Sequence, residues 1–141
     1  MIPDAAKLRD FALRYTAAWC SRDAARVAAF FAPDGSISIN DGAPAAGRSA
    51  IAEAFQAYMS AFPDLHLTMD DLVVRGDRAE YHWTFTGANT GPGGTGRRVR
   101  FSGYEAWKMG DDGLIAESLG HYDSAAYQRQ LAEGMEEQSR T

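Results

Sequence analysis

Residues 98–123 read RVRFSGYEAWKMGDDGLIAESLGHYD. Two runs of β-forming residues flank Gly110-Asp111-Asp112-Gly113, a turn cluster able to hold positive φ, so the stretch is predicted to form a hairpin of an antiparallel sheet. Alternate residues of a strand share a face. Phe101, Gly103, Glu105 and Trp107 therefore fall together, and so do Leu119, His121 and Asp123. Each set mixes apolar groups with an ionisable one. A curved sheet lining a ligand pocket needs that mixture, because apolar walls hold a substrate and shift the pKa of the acids set among them.

Upstream of the hairpin the pattern changes from helical to extended. Asp4 can cap a helix whose apolar residues Leu8, Phe11, Ala12, Tyr15 and Trp19 recur at spacings of three and four. A second short helix is predicted from about residue 23 to 31, stopped by Pro33. Residues 36–40 alternate as a short strand, and residues 41–47 form a loop containing Pro44. Ser49 opens a third helix with Ile51, Phe55, Tyr58, Met59 and Phe62 inward, ended by Pro63. Residues 65–74 and 79–88 are predicted strands joined at Arg75-Gly76-Asp77, and the glycine-rich residues 87–97 lead into the final hairpin. Helices first and a meandering sheet afterwards make an α+β layout, with a bent sheet wrapped around helices on one face. From Ser124 a helical turn gives way, from about residue 133, to a polar tail predicted to fray.

The chain has 141 residues, the size of one domain with a sizeable core, so residues 1–141 are predicted to form a single domain. Its 45% hydrophobic and 23% charged content is that of a soluble globular protein. No run approaches the about 18 apolar residues that a membrane helix requires. The first ten residues lack an apolar secretory core, and a cytoplasmic location is expected. A net charge of −5 with scattered basic residues argues against nucleic acid as a partner. Cys20 stands alone and is expected to be buried as a small hydrophobe. His66, His82 and His121 have no metal-binding spacing, so no metal site is expected. His82 alternates with Tyr81 and Trp83 and is placed on the outer sheet face.

An ordered series of short segments runs through almost the whole domain: Gly47-Arg48-Ser49-Ala50-Ile51, Phe62-Pro63-Asp64-Leu65-His66, Gly76-Asp77-Arg78, Trp83-Thr84-Phe85-Thr86-Gly87, Thr95-Gly96-Arg97 and Phe101-Ser102-Gly103. In this order they resemble the nuclear-transport-factor-2-like (NTF2-like) cone fold, and more closely its SnoaL-like polyketide cyclase branch. The resemblance implies a strongly curved, mostly antiparallel sheet around N-terminal helices, an internal apolar cavity, chemistry without metal or organic cofactor, and a homodimer through the outer sheet face. It implies a cyclase or isomerase of secondary metabolism, performing aldol-type acid/base chemistry on an apolar polycyclic ketone or ester. The same cone also hosts proteins that only bind or scaffold, and cofactor-free hydroxylases and epoxide hydrolases.

The cyclase branch usually carries Trp-x-x-x-Asp on its last strand. The aspartate matches Asp123, while Leu119 replaces the tryptophan. Asp123 is accordingly the expected base, with His121 orienting it or sharing its proton; an exposed edge pair is the other reading of these two. The more distant ketosteroid isomerases place a tyrosine on the first helix and a buried acid on a late strand, positions matched here by Tyr15 and Glu105. Glu105, if protonated, would donate a hydrogen bond, and Tyr15 could donate to an oxyanion; a solvated strand residue and a core tyrosine are the alternatives. The isomerase base falls at Ile39, beside Asn40 and Asp41. Substrate-binding positions are expected at Trp19, Phe55, Met59, Trp83, Phe85, Phe101, Trp107 and Leu119, with Asn40 at the loop mouth and His66 at a strand start. Asn40 and Asp64 also read as turn formers.

Overall fold

A computed structural model describes residues 4–134 of the chain. Asp4 caps α1 (Ala5–Cys20) by accepting from the Lys7 backbone N–H, and the helix buries Leu8, Phe11, Ala12, Tyr15, Ala18 and Trp19 along one stripe. That stripe is the apolar spacing seen in the sequence. Asp23 caps a shorter α2 (Ala24–Ala28), which ends before Phe31 because the chain already enters β1 (Phe31–Ile39) there. Pro33 therefore lies inside an irregular strand instead of stopping a helix, in the segment where the register shifts between Phe31 and Ser36. A two-residue strand, β2 (Ala45–Ala46), interrupts the predicted loop and leads to α3 (Arg48–Ala61), whose buried residues are Ile51, Phe55 and Met59.

The remaining strands are β3 (His66–Arg75), β4 (Arg78–Ala88), β5 (Arg98–Met109) and β6 (Ile115–Tyr122), followed by α4 (Ser124–Glu133). The sheet runs β2-β1-β6-β5-β4-β3. All neighbours are antiparallel except β1 and β6, which are parallel. The architecture is an α+β cone with a curved, unclosed mixed sheet, and the helices pack into its hollow, as expected. Among the described residues no helix is long and apolar enough to cross a membrane. The end of the chain, residues 135–141, lies outside the described residues.

One irregularity decides which side chains enter the hollow. In β5 and β6, Gly103 through Lys108 pair with Tyr122 through Glu117, but Met109 pairs with Ile115. The shift leaves Ala116 as an extra residue in β6, and a one-residue bulge moves every later side chain of the strand to the opposite face. Glu105 stands across from Gly120 and Trp107 from Ser118, so Ser118, Gly120 and Tyr122 share the concave face. Leu119 and His121 turn to the convex face, across from Ala106 and Tyr104. The expectation that Leu119 and Asp123 line the cavity with Glu105 is corrected here, whereas His121 still reaches the pocket's border.

Candidate functional site

A pocket of about 60 Å³, partly open to solvent, lies between the helices and the concave sheet. Its helical walls are Trp19 of α1 with Phe55 and Tyr58 of α3. The strands contribute Ile37 and Ile39, Leu67, Trp83 and Phe85, Phe101 and Glu105, and Gly120 and Tyr122. One glycine makes room for a wall residue. A Cβ on Gly103 would sit 2.7 Å from Trp83 Cζ2 and 2.3 Å from the His121 carbonyl oxygen, so only glycine lets the indole lie over β5. Gly120 stands across from Glu105, where a Cβ would meet the Glu105 Cγ at an ordinary 3.9 Å.

Glu105 is the carboxylate of this lining, and it is only 7% exposed. Its Oε1 accepts from Trp107 Nε1 at 2.8 Å and from Ser118 Oγ at 3.0 Å. The Tyr15 phenol donates at 3.0 Å to both oxygens. Trp107 and Ser118 are brought to the same point by alternation on paired strands, and Tyr15 by the buried stripe of α1. Burial pushes the Glu105 pKa up, and the donors from Trp107, Ser118 and Tyr15 pull it back only in part. Tyr15 is held well above the ordinary phenol range, first by burial and then by the neighbouring Glu105 charge. It remains a proton donor at any working pH.

A box of rings encloses this acid. Trp107 stacks on Tyr81 at 4.9 Å, and Tyr15 meets both edge-on at 5.1 and 5.2 Å. The Tyr81 hydroxyl meets Thr16 Oγ1, which donates to the Ala12 carbonyl, so Tyr81 is the donor of the pair. Elsewhere in the lining the Tyr58 and Tyr122 hydroxyls lie 3.3 Å apart. Burial raises the Tyr58 pKa, and its bond to Tyr122 adds to the rise. Tyr127 of α4 covers Phe101 and Tyr122, with ring centroids at 4.7 and 5.6 Å.

The other expected site residues divide by place. Trp19, Phe55, Trp83, Phe85 and Phe101 line the pocket. Tyr15 and Trp107 lie behind Glu105 and spend their donors on it, so neither is a wall residue and the Tyr15 hydroxyl faces the carboxyl instead of a ligand oxygen. Met59 is buried in the core away from the pocket lining. Asn40 adopts φ +51° and accepts from the Tyr122 N–H at 2.9 Å, a turn that braces the end of β6. His66 is exposed at the start of β3, 3.7 Å from Cys20 Sγ. Cys20 is half-buried and donates to the Leu67 carbonyl, so it ties α1 to β3 instead of filling the core.

His121 borders the pocket, yet its ring packs 5.1 Å from Tyr104, whose other face stacks on His82 at 5.3 Å. That ladder is on the convex face, where His82 was placed from its alternation. Asp123 is exposed and serves as the N-cap of α4, accepting from the Ala126 N–H at 3.0 Å. Asp64 likewise is structural: it accepts from the Ala88 N–H and pairs with Arg98, contacts that hold its carboxyl below the usual range. Ile37, Ile39, Tyr58, Leu67, Gly120 and Tyr122 were missed as wall residues. For β1 the alternation Ile37, Ile39 was a usable signal; for β6 the bulge concealed it.

A pocket lined by one buried, hydrogen-bonded acid inside an α+β cone is the combination of fold and site seen here. The chain belongs to the SnoaL-like polyketide cyclase family, whose model matches residues 9–131. TsrD from Streptomyces laurentii is similar in structure at 28% identity, with a TM-score of 0.78, over 92% of this chain and 98% of that one. AclR from Streptomyces galilaeus is 22% identical with a TM-score of 0.78, over 92% of this chain and 83% of the other. TerC, crystallised with polyporic acid, is 16% identical with a TM-score of 0.73, over 90% and 99%. The last two likenesses speak for the fold alone. No curated protein sequence matches the chain.

Proposed function

We propose that the chain is a cofactor-independent acid/base catalyst of the cyclase or isomerase type, in which Glu105 takes a proton alpha to a ketone or ester carbonyl held in the pocket. One observation carries the reading: the carboxyl in the pocket lining is buried, raised in pKa and fixed by three donors. A base poised nearer neutrality than an ordinary carboxylate exchanges protons with a weak carbon acid more effectively. Returned to another carbon, the proton gives an isomer. If the enolate carbon attacks a second carbonyl of the same molecule, Glu105 gives the proton to that oxygen and a ring closes. Pockets that enclose drug-sized ligands measure roughly 300–1,000 Å³. A pocket of about 60 Å³ that is partly open to solvent therefore encloses the reacting end of a substrate, and the polycyclic remainder extends out of it. The TerC complex supports a ring-bearing ligand in this fold.

The same donors favour a second reading, a binding module in which Glu105 only pins α1 to β5 and β6. Proton exchange separates the two. A panel of cyclic ketones and β-keto esters is incubated with the protein in D₂O, and alpha-hydrogen loss is followed by NMR. Glu105→Gln is expected to slow exchange by roughly 10²–10⁴. Asp123→Asn, which keeps the cap, is expected to leave it unchanged. Exchange that survives in Glu105→Gln, or vanishes in Asp123→Asn, removes Glu105 from the role of base.

A further inference from the structure

Four side chains surround a place on β6 that carries none. Gly120 lies in the interior of that strand, paired with Ile39 of β1 on one side and with Glu105 of β5 on the other. Alternation puts it on the concave face between Ser118, which donates to Glu105, and Tyr122. Ile39, Glu105, Gly120 and Tyr122 all line the pocket. The missing side chain is therefore a notch in the pocket wall, bordered by the acid.

The fold itself has no need of a glycine there. In a strand interior glycine costs conformational entropy and packs against nothing, and it marks a bulge, a tight bend, or a close approach by a ligand or another backbone. The bulge of β6 is at Ala116, and pairing runs through Gly120 without interruption on both sides. Gly120 does not belong to the glycines of positive φ. A Cβ on it would meet the Ser38 carbonyl oxygen at 3.5 Å, Ile39 Cγ1 at 3.8 Å and Glu105 Cγ at 3.9 Å, all ordinary contacts. Gly103, its diagonal neighbour, is the opposite case, with a backbone oxygen 2.3 Å from where its Cβ would be. Of the uses of a strand glycine, the approach of a ligand is the one left for Gly120.

We infer that Gly120 is a specificity-determining residue of the pocket: its bare backbone admits the ring edge of the substrate beside Glu105, so that fused-ring ketones enter where a side chain would leave room only for a single ring. This deepens the proposed acid/base reading and rests on it for the reaction. Glu105 and Gly120 are directly opposite on paired strands, so whatever fills the notch lies against the acid. A methyl group at position 120 takes that room from the substrate. Its nearest neighbours would include none of the groups that donate to Glu105, so the acid keeps its setting while the space beside it shrinks.

The test compares cyclohexanone with 1-tetralone, which fuses a second ring to the same ketone, by NMR titration of the native chain and of Gly120→Ala. The ratio of 1-tetralone to cyclohexanone affinity is expected to fall about tenfold in Gly120→Ala, since one methylene in an apolar pocket discriminates by roughly 10–200-fold. The melting temperature of Gly120→Ala is expected to hold or to rise by roughly 1–4 °C, because alanine restricts the unfolded chain where it fits the folded one. Gly103→Ala is expected to melt lower than the native chain, as its Cβ would collide with backbone. A lowered melting temperature in Gly120→Ala would show a glycine required by the bend of the sheet and overturns the inference. An unchanged or raised ratio overturns it too, as does failure of either ketone to bind the native chain. The two proposals fail separately. Loss of exchange in Glu105→Gln with an unchanged ratio in Gly120→Ala removes only the specificity role; a lowered ratio with exchange intact in Glu105→Gln removes only the base.

Discussion

Glu105 concentrates the electrostatics of this molecule in one side chain. Burial raises its pKa while Trp107, Ser118 and Tyr15 pull it down, and burial wins. The folded chain thus keeps this proton to higher pH than the unfolded chain, where a glutamate titrates at about 4.3. Between those two pKa values the folded state binds more protons, so this contribution to stability falls as pH rises and stays lower above the folded pKa. Glutamine is isosteric and does not titrate there. The melting temperature of Glu105→Gln relative to the native chain is expected to climb as pH goes from 4 to 8, by thermal unfolding; a constant difference would mean that Glu105 titrates alike in both states. Tyr15→Phe removes one donor that lowers this pKa. The acidic limb of the pH–exchange profile should accordingly shift to higher pH, and a shift the other way would contradict the assignment of Glu105 as base. Both residues were legible in the sequence, Tyr15 from the stripe of α1 and Glu105 from alternation in β5. What they do for each other was not, since they lie 90 positions apart and meet only through packing.

At the scale of elements, α4 depends on Asp123. The helix has no fully buried residue, and Tyr127 and Leu131 are its partly buried contacts with the core. Its first turn therefore leans on the cap at Ala126 N–H. Asparagine caps about as well as aspartate, whereas alanine forfeits about 1 kcal/mol. Amide hydrogen exchange in α4 is expected to be native-like in Asp123→Asn and faster in Asp123→Ala. Equal protection in all three proteins would show that the packing of Tyr127 and Leu131, with the Gln130 bond to the Arg100 N–H, fixes the helix without the cap. This pair of variants also separates charge from capping: a base would be lost in both, a cap only in alanine. The sequence marked Asp123 as chemically notable, but the same residue type begins helices, and nothing local distinguishes the two uses.

For the whole molecule the decisive pairings are remote. Ser36 pairs with Glu117 in the parallel ladder, and Tyr15 reaches Glu105 across most of the chain. Non-local pairing must be closed before it is rewarded, so refolding is expected on a scale of roughly milliseconds to seconds, measured by stopped-flow tryptophan fluorescence. Completion within microseconds would imply that the helices alone carry the signal.

The sequence by itself determined the elements that repeat regularly. The α1 stripe, the inward residues of α3, the alternation of β4 and β5 and the α+β order follow from periods of 3.6 and 2, which a chain displays without knowing its neighbours. It also determined the family, through an ordered series of short segments matched over residues 9–131. The tertiary structure alone decided the face of β6. Leu119, His121 and Asp123 carry as much apolar and ionisable character as Ser118, Gly120 and Tyr122, so alternation has no preference between them. The choice was made by the extra residue at Ala116, where β6 pairs with β5 on one side and β1 on the other. A bulge belongs to a pair of strands, and no single strand announces it.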